Sequence, residues 1–240
     1  MRWGLGVSSL RSFVNEGIGT MNRRTFLQVP GLGLLVGAAV ACEINEMGDN
    51  NSKTGVDVKI PIDGQELAYL QQAIQLSDLS SSPAYGSNHP FGAVIVLKNG
   101  TVISGHNHVQ TDKDPTQHAE MYTVRQACRS GLQAGDFEGA TLYTSTEPCA
   151  MCCGAIYWVG IRRVVYGCGH ESLDGLFHDM FPEGSAGGGL LMSSREIFAR
   201  GAVRTDVLGP HLEEMAVAVH KKHWPALLGV SVPKSWQSIG

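Results

Sequence analysis

Two short stretches, "HAEMYTVRQAC" from His118 and "TEPCAMCCGAIYW" from Thr146, restrict the fold more than anything else in the chain. Cys149 and Cys152 stand three apart at the start of an expected helix. Their thiols therefore share one face, and the positive end of the helix favours the thiolate form that binds metal. A redox pair of the thioredoxin kind would belong to an early strand and helix, and this one comes too late in the chain. A structural zinc site would need a fourth protein ligand from another pair at suitable spacing, and the sequence offers none. His118 supplies a third ligand if the two helix starts converge, because side chains in a first helical turn tilt towards the N-terminus and can address a point just ahead of it. The fold must therefore bring two helix N-termini to one place. There one nitrogen and two sulfurs would hold Zn2+ with a fourth position open.

Glu120 follows His118 by two residues and can flank the same point without binding the metal. An open zinc position makes hydroxide available near neutral pH, the pKa of water there falling to about 7. Glu120 is then placed to take the proton, pass it to a ring nitrogen and protonate a departing amine, as general base and then general acid. With no histidine and cysteine pair nearby, the same residue would read as a carboxylate favoured by the helix dipole.

The rest of the chain supplies elements to carry such a site. With 43% apolar residues among 240, there is room for a full core. From Pro61 about 180 residues remain, which suits one domain. "DGQELAYLQQAIQLS" opens with Asp63 and Glu66 in a capping-box pattern and repeats apolar residues at Leu67, Leu70 and Ile74, which predicts an amphipathic helix. "FGAVIVLKNGTVISGHN" reads as a hairpin about Asn99–Gly100, its first strand buried on both faces. Asp114–Pro115–Thr116 is expected to start a helix that runs to about Ser130 and stops at Gly131. "ATLYT" is a strand, "PCAMCCGAIYWVG" a helix ended by Gly160, and "RRVVYG" another strand. A long connection, glycine-rich at Gly184–Gly189, can cross over and return "AVRTDVL" parallel to that strand. A last helix is expected from about Leu212 to Lys222.

Residues 1–42 read differently. "MNRRTFLQ" from Met21 precedes an uncharged stretch, Val29–Ala41, ending in "AVAC"; a paired arginine, a short apolar run and an Ala-x-Ala site make an export signal. The run is shorter than the ~20 residues of a membrane-spanning helix. It resembles twin-arginine signals, which carry folded proteins across a bacterial membrane, and implies a periplasmic or membrane-anchored extracytoplasmic location, with a cytoplasmic one as the alternative. "AVAC" resembles a lipoprotein site, which would make Cys42 a lipid anchor and residues 43–60 a polar tether to the domain at residues 61–240. Met21 is a second candidate start. Residues 1–42 hold four arginines and one glutamate, so of 18 basic and 22 acidic side chains 14 and 21 remain, a net charge of −7. That balance argues against nucleic acid as a partner, because its affinity rests on phosphate neutralisation by lysine and arginine.

Beyond the ligands, "HPFGAVIV", "DPTQHAE", "LYTSTEPCAMCCGAIYWVGIRRVVYG" and "GLFHDMF" together resemble the cytidine and deoxycytidylate deaminase superfamily, in its guanine deaminase and nucleoside deaminase branch. H-x-E followed by P-C-x-x-C is the signature of zinc nucleobase deaminases. The resemblance implies an α/β protein with a three-layer α/β/α fold around a five-stranded mixed sheet, commonly a homodimer. It also implies hydrolytic removal of an exocyclic amine with release of ammonia. By the same resemblance Asn107 holds the edge of the base, Phe91 forms part of the pocket wall, and Asp179 assists proton transfer at a purine. On spacing alone a turn residue is an equal alternative for Asn107, and core packing is the alternative for Phe91.

The chain departs from that branch at His178, where a second acidic residue is usual, at Gly184–Gly189 and at Cys153. Cys153 is expected to turn away from the metal and be buried as a small hydrophobe, and Cys128 and Cys168 to be buried thiols. Tyr157 and Trp158 suit either the core or a dimer interface; His89, His106, His108 and His170 suit the surface or the pocket rim. The expected substrate is a free nucleobase or nucleoside, guanine first, with guanosine, adenosine and cytosine as alternatives. A tRNA adenosine ranks below them for want of basic charge. Binding without turnover is a different class, against which Glu120 argues.

Overall fold

The structure, a computed structural model, describes residues 62–182, 190 and 192–237. The expected export signal of residues 1–42, the lipid site at Cys42, the start at Met21, the tether of residues 43–60 and the Gly184–Gly189 stretch lie outside the described residues. Asp63 is the N-cap of helix α1 (Gly64–Ser80): its Oδ1 accepts the Glu66 N–H at 2.8 Å, and its own N–H donates to the Glu66 carboxylate at 3.2 Å. This is the reciprocal capping box expected there. The hairpin follows as β1 (Gly92–Val96) and β2 (Val102–His106), then a single turn α2 (Val109–Asp112), α3 (Ala119–Arg129), β3 (Thr141–Thr146), α4 (Ala150–Val159) and β4 (Arg163–Cys168). The long connection carries two helices, α5 (His170–Met180) and α6 (Ser194–Ala199), before β5 (Asp206–Leu208) and α7 (Glu213–Leu228).

The strands form one mixed sheet in the order β2-β1-β3-β4-β5, antiparallel as far as β3 and parallel from β3 to β5. Successive side chains point to opposite faces. Ala93, Ile95, Leu142 and Val164 meet Val124 of α3, Ile156 of α4 and Phe198 of α6 on one side, while Val94, Tyr143, Val165 and Leu208 meet Leu70 and Ile74 of α1 and Ala216 of α7 on the other. The result is the expected three-layer arrangement, with β1 buried on both faces along Gly92–Ile95. Gly92 is where α1 presses closest on the sheet. A Cβ there would stand 2.7 Å from the Ser77 nitrogen and 2.8 Å from Leu76 Cβ, a space that only glycine leaves clear.

Three expectations need correction. The helix expected from Asp114 begins at Ala119, because Asp114 Oδ1 accepts the Thr116 N–H at 2.8 Å and the Thr116 hydroxyl at 2.7 Å. That Asx turn takes up the N–H groups a helix start would have used. His118 is therefore the N-cap of α3 and not a residue of its first turn. The last helix runs past Lys222 to Leu228, through Pro225, and ends on the left-handed Gly229 at φ +66°. Cys128 is exposed: α3 turns Thr123, Val124 and Ala127 to the sheet, and the position after Ala127 falls on the outer side. Cys153 and Cys168 are buried as expected, the Cys153 thiol donating to the Pro148 carbonyl at 3.3 Å.

Candidate active site

His118 and Cys149 are the N-caps of α3 and α4, both in extended conformation, and Cys152 is the third residue of α4. The two helices pack side by side on one face of the sheet, and their starts meet at one end of it. The His108 N–H donates to the Gln117 carbonyl at 2.9 Å, which draws the segment before α3 against the end of β2. On the other side Pro148 leads from β3 into α4. His118 Nδ1 then lies 3.6 Å from Cys149 Sγ and 3.7 Å from Cys152 Sγ, and the two sulfurs are 3.7 Å apart.

Those distances test whether zinc fits. With bonds of about 2.3 Å to sulfur and about 2.05 Å to nitrogen, a tetrahedral ion separates neighbouring ligands by ~3.8 Å for two sulfurs and ~3.6 Å for nitrogen and sulfur. The triangle already has the edges of that tetrahedron, and among the described residues no fourth histidine, cysteine or acid joins the group. The electrostatics agree. A hydrogen bond from the Cys152 thiol, more than any other cause, brings Cys149 down to about 4, and His118 adds to it against the effect of burial. The same bond holds Cys152 well above its ordinary value, and the Cys149 sulfur raises His118. A cluster that keeps a thiolate beside an imidazole, under two helix N-termini, is built to exchange its protons for a divalent cation.

Glu120 is the second residue of α3 and only 6% exposed. Burial pushes its carboxyl up to about 7, the neighbouring Cys149 adds to the rise, and His118 and a hydrogen bond with Cys152 oppose it. A carboxyl poised near neutrality can take up and release a proton at little cost.

Asn107 is buried, its N–H donating to the Phe91 carbonyl at 2.9 Å and its Oδ1 accepting the Val109 N–H at 3.0 Å. It is thus a turn residue as spacing suggested, and its Oδ1 being engaged leaves the amide N–H groups as what it can offer a ligand. Phe91 is half-buried, with its ring 5.3 Å from that of His220 and 6.0 Å from that of Trp224. Burial first, and the neighbouring His118 second, hold the His89 imidazole below its ordinary value. His106 and His108 stack at 4.4 Å, and His108 stacks on Tyr122 at 3.7 Å. Asp179 is exposed on α5, and its carboxylate accepts the Trp236 indole N–H at 2.6 Å, so its hydrogen bond goes to the C-terminal segment and not to the metal-ligand cluster. His178 is exposed and pairs with Asp174. The Tyr157 hydroxyl accepts the Val203 N–H and belongs to the fold; Trp158 is 81% exposed.

Two features escaped the sequence. Glu147, just before the cysteine turn, accepts the His170 N–H at 3.0 Å, the Ser194 N–H at 2.8 Å and the Ser194 hydroxyl at 2.6 Å, and so caps both α5 and α6. No local pattern announces it, since its partners are far along the chain. His220 and Trp224 line the buried face of α7. Their spacing of four from Ala216 is the signal that could have found them.

A family model of the cytidine and deoxycytidylate deaminase zinc-binding region matches residues 64–168. A probable cytosine deaminase of Schizosaccharomyces pombe is 39% identical over 160 residues, 67% of this chain and 93% of that protein. The guanine deaminase of Bacillus subtilis is 40% identical over 114 residues, 47% of this chain and 71% of that protein. A solved guanine deaminase from Nitrosomonas europaea is similar with a TM-score of 0.52 at 20% identity, over 68% of this chain and 85% of the other, a likeness of fold.

Proposed function

We propose that this chain, which belongs to the cytidine and deoxycytidylate deaminase family and is a zinc-dependent hydrolytic deaminase, acts on a free nucleobase, with guanine as its leading substrate. The observation that carries the proposal is the triangle of His118, Cys149 and Cys152 with edges of 3.6 to 3.7 Å and buried Glu120 beside it. His118 Nδ1 and the two thiolates would hold zinc, which when bound would supply the Lewis acidity that makes water a nucleophile near neutral pH. Glu120 takes up the proton that water gives up and hands it to a ring nitrogen next to the amine-bearing carbon. The water oxygen bonds to that carbon, and Glu120 then moves the remaining hydroxyl proton to the leaving amine, so that the C–N bond breaks, a C=O bond forms and ammonia departs. Asn107, with its Oδ1 held by Val109, offers N–H groups, which suit the carbonyl oxygen that guanine and cytosine carry and adenine lacks. Phe91 gives the flat base an apolar wall. Asp179 is proposed to assist at a purine from its place beside Trp236.

Cytosine is the second reading, favoured by the relative in Schizosaccharomyces pombe that this chain covers over 93% of its length. We propose further that the protein is exported and forms a homodimer through α4, an uncharged helix whose Trp158 is 81% exposed. Its acidic balance supports a small-molecule substrate over nucleic acid. Ammonia release from guanine, guanosine, adenine, adenosine and cytosine tests the choice. The highest kcat/KM is expected on guanine; the highest on cytosine selects the second reading, and a zinc-loaded protein that releases ammonia from none is a binder. Glu120→Gln should keep its zinc and lose about 10²–10⁴ of its turnover. Turnover near that of the wild type would remove Glu120 from the mechanism.

A further inference from the structure

α7 carries Ala216, His220 and Trp224 at intervals of four, and all three are at most 4% exposed. A histidine at that depth needs partners for both ring nitrogens. An indole N–H can only donate, so the 2.9 Å bond from Trp224 Nε1 makes His220 Nδ1 the acceptor. The imidazole proton therefore sits on Nε2, which donates to Thr146 Oγ1 at 2.8 Å. The chain runs one way, from indole to imidazole to hydroxyl, and ends on the last residue of β3. Glu147, Pro148 and the ligand Cys149 follow at once.

At its other end the chain reaches Phe91, the proposed wall of the base site, and two further rings. Trp224 stands behind three partly exposed rings from three separate segments: His89 at 5.1 Å, Phe91 at 6.0 Å and Phe177 of α5 at 5.1 Å. His220 itself faces Phe91 at 5.3 Å. None of these groups takes part in the proton transfers assigned to Glu120.

We infer that Trp224 and His220 are positioning residues, which hold the aromatic wall of the base pocket in register with the metal-ligand turn through Thr146 and so set the affinity for the base. The inference rests on the proposal that this site takes a nucleobase. Trp224 backs the wall while the hydrogen-bonded chain fixes the indole against the same strand end that delivers Cys149. Disturbing the chain shifts the wall and leaves the metal and Glu120 where they are.

Trp224→Phe keeps a ring and removes the indole donor; Thr146→Val keeps the shape and removes the hydroxyl. Both are made in the full zinc-loaded chain and assayed on the base that the wild type turns over fastest. Each is expected to raise KM about five-fold or more, the loss expected of one buried hydrogen bond, with kcat within about two-fold and zinc content unchanged. A role confined to stability would lower the melting temperature and leave KM where it was, and that result overturns the inference, as does a fall in kcat at constant KM. A second readout needs no turnover: nitrogen NMR of the wild type should find His220 protonated at Nε2 alone, and a proton on Nδ1 overturns the chain. Ammonia from no base would count against the proposed function alone. Equilibrium dialysis of the same five bases then decides the inference, weaker retention by Trp224→Phe upholding it and equal retention overturning it.

Discussion

Acid should destabilise this protein through His220 in a way that one substitution can isolate. Burial first, and the neighbouring His223 second, hold the His220 imidazole at about 3, against an ordinary value of 6.5. The geometry gives the reason: a proton on Nδ1 would face the Trp224 indole N–H, and a ring only 1% exposed has almost no contact with solvent to stabilise the charge. The folded chain thus refuses a proton that the unfolded chain accepts. Stability from this group is fully present above pH 6.5 and falls as pH drops from 6.5 towards 3, at about 1.4 kcal/mol per pH unit. Between pH 6.5 and 5.0 the loss is about 2 kcal/mol. Urea unfolding of the wild type and of His220→Gln, both with saturating zinc, should show that extra loss in the wild type alone. The starting stabilities need not match, because only the slopes are compared. Equal slopes, within about 0.5 kcal/mol over that range, would refute the buried neutral imidazole.

Three other outcomes follow from the fold and the site. Gly92→Ala places a methyl against Ser77 and Leu76 of α1 and should cost about 1–3 kcal/mol in chemical unfolding; a neutral effect would contradict the close approach. Cys152→Ala should lose stoichiometric zinc, whereas Cys153→Ala, whose thiol points at the Pro148 carbonyl, should keep it, as metal analysis of the two purified variants will tell. Trp158→Glu should convert a dimer to a monomer by light scattering after size exclusion; an unchanged mass would place the interface elsewhere.

Local chemistry made most of the fold legible. The Asp63 and Glu66 capping box, the hairpin, the Gly160 stop and the return of β5 parallel to β4 all depend on residues close in sequence or on a connection long enough to cross over. The metal cluster was legible for a similar reason, since the two ends of the site are each a short motif at a helix start. The start of α3 was misjudged because Asp114 can cap a helix or close an Asx turn, and nothing local decides between them. Pro225 lies inside α7, where a proline removes a backbone donor and disfavours a helix. Packing decided otherwise, with Trp224 buried against rings from three other segments and Lys222 and His223 both donating to Asp78 of α1. Glu147 and His220 show the limit most plainly. The partners of Glu147, and Thr146 as the distant partner of His220, lie 23 to 74 residues away, at contacts that exist only once the sheet has formed.

The central claim is that one imidazole and two thiolates hold a catalytic zinc with a fourth position open to water. X-ray absorption at the zinc edge, on protein whose metal content has been measured, tests it most directly. One zinc per chain is expected, with one nitrogen at about 2.0–2.1 Å, two sulfurs at about 2.3 Å and one further light atom that exchanges with solvent. Zinc-free protein, or a third sulfur in the shell, would contradict it.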